Sequence, residues 1–380
     1  MGPLAGVKIV ELAGIGPGPL AAMFLADLGA EVIRVDRKEP SGLGVERPLK
    51  HDLVIRNRKS IRVDLKDPAG LALVYDLIAK ADGLIEGFRP GVTERLGLGP
   101  DECLKRNPSL IYGRTNGWGL EGPLAQAAGH DINYIAITGV LNAIGRPGQA
   151  PTIPLNVIGD YAAGSLYLAL GMVAGILEAR QSKKGQVVEA AIVDGVASLM
   201  TVLVGMRNAE MLGPDRGSNL LDGGAPFYEV YECADGKFVC IGPIEKKFFL
   251  ELLRRLEIDP EPIGDHMDKN NWPRMKEVFA AKFKTRTREE WTALLEGTDA
   301  CFAPVLDLKE AYEHPHLKSR GTFIEVDGVM QPAPNPRFSR TVPATPAQPA
   351  ALTTENAKQA LKGWLTDSEI AALEQAKTFI

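Results

Sequence analysis

The sequence predicts an α/β fold: a parallel, doubly wound sheet near the N-terminus and a smaller α+β domain further on. Three observations predict it. Short β-branched runs alternate with helical patterns as far as Arg114, and after about residue 220 that rhythm gives way to a hairpin followed by helices. At 380 residues the chain also exceeds one ordinary core, so two domains are expected.

Taken in order, Val7 to Leu12 reads as a strand, Pro19 to Leu28 as a helix, and Glu31 to Asp36 as a strand. A strand near Ile61 to Leu65 precedes a helix opened by Asp67-Pro68, an N-cap followed by a proline whose missing N–H costs nothing there. Strands fit Gly83 to Glu86 and Leu110 to Arg114, with a helix from Pro100-Asp101 between them. Tyr161 to Leu177 is almost free of charge and approaches membrane-spanning length. Gly164, Ser165, Gly171 and Gly175 interrupt it, so it reads as a buried core helix with close packing, and Gly195 to Met206 as a second one. Two such helices imply a large core or a large subunit interface.

Phe227 to Cys233, the turn Ala234-Asp235-Gly236 and Lys237 to Ile241 form the expected hairpin. Thr287 and Glu290, and again Thr366 and Glu369, have capping-box spacing. The proline-rich stretch from Gln331 to Pro349 reads as an extended linker along a surface.

Composition narrows the function. The chain is 45% hydrophobic and 24% charged with a net charge of −5, so it has no global field for nucleic acid. The four cysteines, Cys103, Cys233, Cys240 and Cys301, form no C-x-x-C pair; neither a metal site nor a disulfide framework is expected. The start resembles no signal peptide and the end no targeting signal, which makes the cytoplasm the expected compartment, without membrane insertion.

Val7 through Asp36 imitates a dinucleotide-binding unit, but the third glycine of G-x-G-x-x-G falls on Pro19 and Arg37 follows the acid. A tight turn onto a helix is the better account of Gly14, Gly16 and Gly18. Arg56, Arg58, Lys59 and Arg62 put four positive charges within seven residues, either a solvated surface or a phosphate site. Gly87-Phe88-Arg89-Pro90-Gly91 is more specific, because it places an arginine after a sheet strand, where ligands of such sheets bind. His130, between Gly129 and Asp131, and Asp160, after Gly159, stand just ahead of apolar helical stretches. Together they offer two proton-transfer groups of different chemistry. Asp160 read alone is equally an N-cap, His130 a structural histidine, Asp131 a local cap, and Glu245 a complement to a helix dipole.

These segments resemble the family III CoA-transferase superfamily, and within it the α-methylacyl-CoA racemase branch. The resemblance is carried by Val10-Glu11-Leu12-Ala13-Gly14, Arg56-Asn57-Arg58-Lys59-Ser60, Val63-Asp64-Leu65-Lys66, Gly87-Phe88-Arg89-Pro90-Gly91 and Gly117-Trp118-Gly119. It continues in Gly129-His130-Asp131-Ile132-Asn133-Tyr134, Gly159-Asp160, Leu221-Asp222-Gly223-Gly224-Ala225-Pro226 and Asp299-Ala300-Cys301-Phe302-Ala303-Pro304-Val305.

The resemblance implies a Rossmann-like large domain built from both chain ends, 1–190 and 326–380. A linker helix, 191–220, would lead to the small domain, 221–290, and a return linker, 291–325, would lead back. It also implies an interlocked homodimer, with each active site between the large domain of one copy and the small domain of the other. Arg37, Arg58, Lys59, Arg62, Leu65, Lys66, Gly87, Phe88, Arg89 and Arg95, with Gly129, Asp131 and Tyr134, would line the CoA groove. CoA enters as part of the substrate, and no separate cofactor or metal is expected.

In a racemase of this kind His130 and Asp160 exchange the α-proton of the thioester, and Glu245 orients His130. Asp160, opening the apolar helix, would offer its own N–H to the enolate oxygen. A CoA-transferase using Asp160 as nucleophile is the alternative enzyme, and a CoA-binding protein without catalysis the alternative class. The stretch Ile241-Gly242-Pro243-Ile244-Glu245 lacks the glycine run of many transferases and carries the carboxylate a racemase needs.

Overall fold

The computed structural model describes residues 2–39 and 42–380. Two compact units divide the chain. The larger comprises Met1–Thr138, Leu155–Leu199 and Gly321–Ile380; the smaller comprises Gly139–Pro154 and Met200–Arg320.

In the larger unit six strands form one sheet: β1 Lys8–Leu12, β2 Glu31–Asp36, β3 Lys59–Arg62, β4 Gly83–Glu86, β5 Ile111–Asn116 and β6 Gln186–Ala191. The order is β3-β2-β1-β4-β5-β6 and every pairing is parallel. Alternation along the strands feeds two cores. Val10, Leu12, Ile33 and Val35 face the helices Pro68–Ile78 and Thr354–Leu361, while Ile9, Val32 and Ile85 join Ala21, Leu25, Met172 and Ile176. A sheet buried on both faces needs apolar residues at consecutive positions, as β1 and β2 have. The strand order reverses between β1 and β4, so the crevice beyond their C-terminal ends is where a ligand is expected.

Local chemistry explains the helix starts. The Asp67 carboxylate accepts the Ala69 N–H at 3.0 Å, with Pro68 as first helical residue. The Thr366 hydroxyl and the Glu369 carboxylate cap each other's backbone N–H groups. The chain's last residues add to the sheet edge, the Ile380 carbonyl accepting the Arg62 N–H at 2.8 Å. The proline-rich return segment is pinned rather than free: the Ala347 N–H donates to the Asn57 side chain at 2.6 Å, and buried Gln331 accepts from Arg56 at 2.8 Å.

The expected apolar helix is two structures in series. Val157–Ser165 is π-helical and Leu166–Ser182 is α-helical, together long and apolar enough to cross a membrane. Its inner side, with Leu168, Met172 and Ile176, is buried as expected. The outer stripe is not: Leu166, Leu170 and Leu177 are 52%, 65% and 61% exposed. The second predicted helix breaks at Met200 into Ile192–Leu199 and Thr201–Asn208, and the larger unit ends at that break.

The smaller unit has a three-stranded antiparallel sheet, β7 Glu229–Glu232, β8 Phe238–Ile241 and β9 Phe302–Pro304. Its core gathers Phe227, Tyr231, Phe249, Trp272, Phe279, Phe283 and Trp291. Two expected linkers differ from this division. Ile192 and Val196 are buried in the larger unit, and the stretch from residue 291 on supplies β9 and a fully buried Trp291 to the smaller one. The smaller unit runs to Arg320 and so takes in most of the stretch expected as the return linker, 291–325.

Candidate active site

Beyond the C-terminal ends of β2 and β4 several predicted residues meet. Arg37 lies over the Phe88 ring with its guanidinium carbon 5.6 Å from the centroid, a cation–π arrangement. The loop carrying Phe88 is fixed by buried Glu86, whose carboxylate accepts the Phe88 N–H at 2.7 Å and the Arg114 Nε–H at 2.6 Å. Burial pushes the Glu86 carboxyl up, while the Phe88 N–H and the Arg114 charge pull it back. Arg89 and Arg95 of this region and Lys66 after β3 are exposed, and Arg62 is half-buried at the end of β3. Leu65 packs with Phe88 against the sheet core.

Two members of the predicted phosphate cluster are elsewhere. The Arg58 side chain is 0% exposed and forms an ion pair with Glu11 at 3.0 Å. It also donates to the carbonyls of Pro19 and Val54, and with its side chain sealed from solvent it is out of reach of a phosphate. Lys59 is exposed but begins β3, at the opposite end of the strand from Arg62. The reason is periodicity: Arg58 precedes the strand and turns inward between Glu11 of β1 and the first turn of the helix Pro17–Asp27, a direction that a charge run does not encode. Arg56 is buried likewise, bonded to Asp27 at 3.2 and 2.6 Å.

The proton-transfer candidates stand beside β5. His130 is exposed and is the N-cap of the helix Asp131–Ile137, its N–H bonded to the Asn133 side chain at 3.0 Å. Tyr134 packs edge-on against Trp118 at 4.7 Å and its hydroxyl donates to the Gly129 carbonyl. A Cβ on Gly117 would fall 2.0 Å from that ring, so this glycine is required. Burial and then the Asp160 charge push the Tyr134 phenol up to about 12, against the pull of Arg89, which puts Arg89 and Asp160 in one neighbourhood.

Asp160 is half-buried inside the π-helical turn, so it is not the N-cap that its sequence position predicts. Its N–H is also not available to an enolate oxygen, because it donates to Asp131 Oδ2 at 2.7 Å. Burial raises the Asp160 carboxyl above the usual range; the Asn156 amide, which donates to Oδ2 at 3.3 Å, lowers it, Asp131 raises it and His130 lowers it. Asp131 is 4% exposed and turns toward this peptide rather than toward an open groove. Asn156, Ser165 and Glu86 support the site without having been named as site residues, whereas Gly159 stood in the motif Gly159-Asp160.

Glu245 belongs to the smaller unit, as N-cap of Lys246–Arg255. Its charge adds to burial in raising the Cys301 thiol. Cys301, Phe302, Cys240, Val230 and Tyr228 line a cleft of about 560 Å³ in that unit.

Exposed Arg89, Arg95 and Lys66 after the sheet strands, and Asp160 close enough to feel the charges of Asp131 and His130, are what the larger unit offers to a ligand. The chain belongs to CoA-transferase family III, whose model matches residues 4–353. It is 42% identical to the α-methylacyl-CoA racemase of Mus musculus over 90% of this chain and 88% of that protein. Identity to the succinyl-CoA:glutarate CoA-transferase of Homo sapiens is 28%, over 89% and 81%. The crystal structure of a CAIB/BAIF family protein from Brucella suis superposes with a TM-score of 0.82, covering 97% of this chain and 99% of that one at 25% identity.

Proposed function

We propose that this chain is an α-methylacyl-CoA racemase, interconverting (2R)- and (2S)-2-methylacyl-CoA thioesters. The observation that carries the reading is the 42% identity, over most of both chains, to a racemase rather than to the transferases at 28%. The His130 and Asp160 pair is consistent with it. One group removes the α-proton, leaving an enolate, and the other returns a proton to the opposite face, so the enzyme ends with the proton moved from one group to the other. Each well-placed group contributes about 10² to 10⁴-fold.

Arg37, Phe88, Arg89, Arg95, Arg62 and Lys66 form the proposed CoA groove, their charges suited to phosphates. The reading places Glu245 of the partner subunit against His130 in an interlocked homodimer. The exposed stripe Leu166, Leu170 and Leu177 supports a dimer, since an apolar face of this kind calls for cover. CoA is carried by the substrate, so the reaction needs no further cofactor.

The test is incubation of one enantiomer of a 2-methylacyl-CoA with no acid acceptor present. Loss of optical purity is expected. Retained configuration with several acyl chains, together with CoA transfer once a free carboxylic acid is added, would replace this reading by the transferase, with Asp160 as nucleophile.

A further inference from the structure

We infer that Asp131 is a positioning residue for Asp160, its buried carboxylate clamping the peptide that carries the proton-transfer side chain. This rests on the racemase reading for its kinetic consequences but not for its geometry. Asp131 Oδ2 accepts the Asp160 N–H at 2.7 Å, and the Gly159 N–H is directed at the same carboxylate. On the other side, the Ser165 hydroxyl donates to the Asp160 carbonyl at 3.0 Å while also lying 2.9 Å from the Pro17 carbonyl. Asp160 is therefore held through both of its peptide groups, in a wide turn where regular i to i+4 bonding would not fix it. Such π-turns recur at functional sites.

Two further facts give the contact a role beyond local capping. A Cβ on Gly159 would sit 2.6 Å from Asp131 Oδ2 and 2.8 Å from its Cγ, so the clamp closes only over glycine. Asp131 Oδ1 is buried with no hydrogen-bond partner among the described residues, and no cation there forms a salt bridge with it. An uncompensated carboxylate beside Asp160 keeps a proton on Asp160 to higher pH.

Other elements packed on the turn bring few charges. Helix Pro17–Asp27 brings Asp27, which is tied to Arg56; helix Leu166–Ser182 brings Tyr167, bonded to Ser198, with Glu178 and Arg180 further along; and Ile192–Leu199 brings Asp194. Strand β5 brings Tyr112 and Arg114, the latter tied to Glu86, and β6 brings Glu189, whose carboxylate accepts the Leu120 N–H. Helix Asp131–Ile137 adds Tyr134, with its N-cap His130. The charges that register at Asp160 are those of Asp131 and His130.

The experiment uses full-length Asp131→Ala, Asp131→Asn and Gly159→Ala proteins. With Asp131→Ala, kcat for racemisation falls about 100-fold with KM little changed, the cost of a misplaced group. Asp131→Asn keeps the accepting oxygen and removes the charge, so most of kcat returns and the acid limb of the kcat/KM profile moves to lower pH. Gly159→Ala reproduces Asp131→Ala although Asp131 is intact. Wild-type kcat in Asp131→Ala, or an unmoved acid limb in Asp131→Asn, would overturn the role. Hydrogen exchange of segment 157–165 tests the clamp without any assay: Asp131→Ala should lose protection there, and unchanged protection refutes the clamp even if the reaction proves to be another.

Discussion

Arg58 and Arg62 stand four positions apart in one basic run, yet they have opposite fates. Arg58 is sealed against Glu11 and the first turn of the helix Pro17–Asp27, and Arg62 stands half-buried at the C-terminal end of β3. The same contrast separates Arg56, held by Asp27, from Arg89, which is exposed after β4. The difference teaches that a cluster of arginines is two devices here. The inner pair is spent on bonds within the fold, and the outer set is the one the proposed function assigns to ligand phosphates. A buried pair is costly to break because the remaining charge stays out of water. An exposed cation is cheap to lose for stability and costly for binding.

The largest expected effect lies next to this platform rather than in it. His130→Ala and Asp160→Ala should each lower the racemisation rate by about 10² to 10⁴-fold with unchanged thermal unfolding; a near-wild-type rate in either excludes that residue from proton transfer. Arg58→Ala should cost about 3 to 5 kcal/mol in urea unfolding. A loss under about 0.5 kcal/mol, typical of a surface site, would erase the distinction between inner and outer arginines. Arg89→Ala should do the reverse, raising KM for acyl-CoA about tenfold with a weaker salt dependence and unaltered stability.

The smallest effect concerns a third kind of arginine contact, the half-buried Arg288–Glu310 pair of the smaller unit. Arg288, the Asp307 N–H and Lys237 hold the Glu310 carboxyl down to about 2. A depressed carboxyl stabilises the fold above its unfolded value and loses that contribution as pH falls through about 2. Glu310→Gln should therefore be the less stable protein at neutral pH and match the wild type near pH 2 in circular-dichroism unfolding. A pH-independent difference would assign the effect to packing.

Much of the larger unit was legible because its signals are local. Glu31 to Asp36 and Gly83 to Glu86 were predicted with their observed ends, and Asp67-Pro68 and Thr366 to Glu369 cap as their chemistry requires. What was not legible depends on partners distant in sequence. Asp160 looks like an N-cap until Ser165 bonds back to its carbonyl and Asp131 takes its N–H. The apolar stretch after it reads as uniformly buried, because composition does not say which stripe of a helix meets its own core. The site residues His130, Asp160, Arg37 and Arg89 came from the family motifs together, since none has a local pattern that separates catalysis from capping or solvation.

The account's central claim is that two different groups act on two faces of one carbon. The direct measurement is α-proton washout into D₂O, followed separately for each enantiomer of a 2-methylacyl-CoA with His130→Ala and Asp160→Ala. The account predicts that each variant stops racemising yet still exchanges the enantiomer whose proton faces the remaining group, so the two variants retain opposite enantiomers. Washout of the same enantiomer by both, or of neither by the wild type, would contradict it.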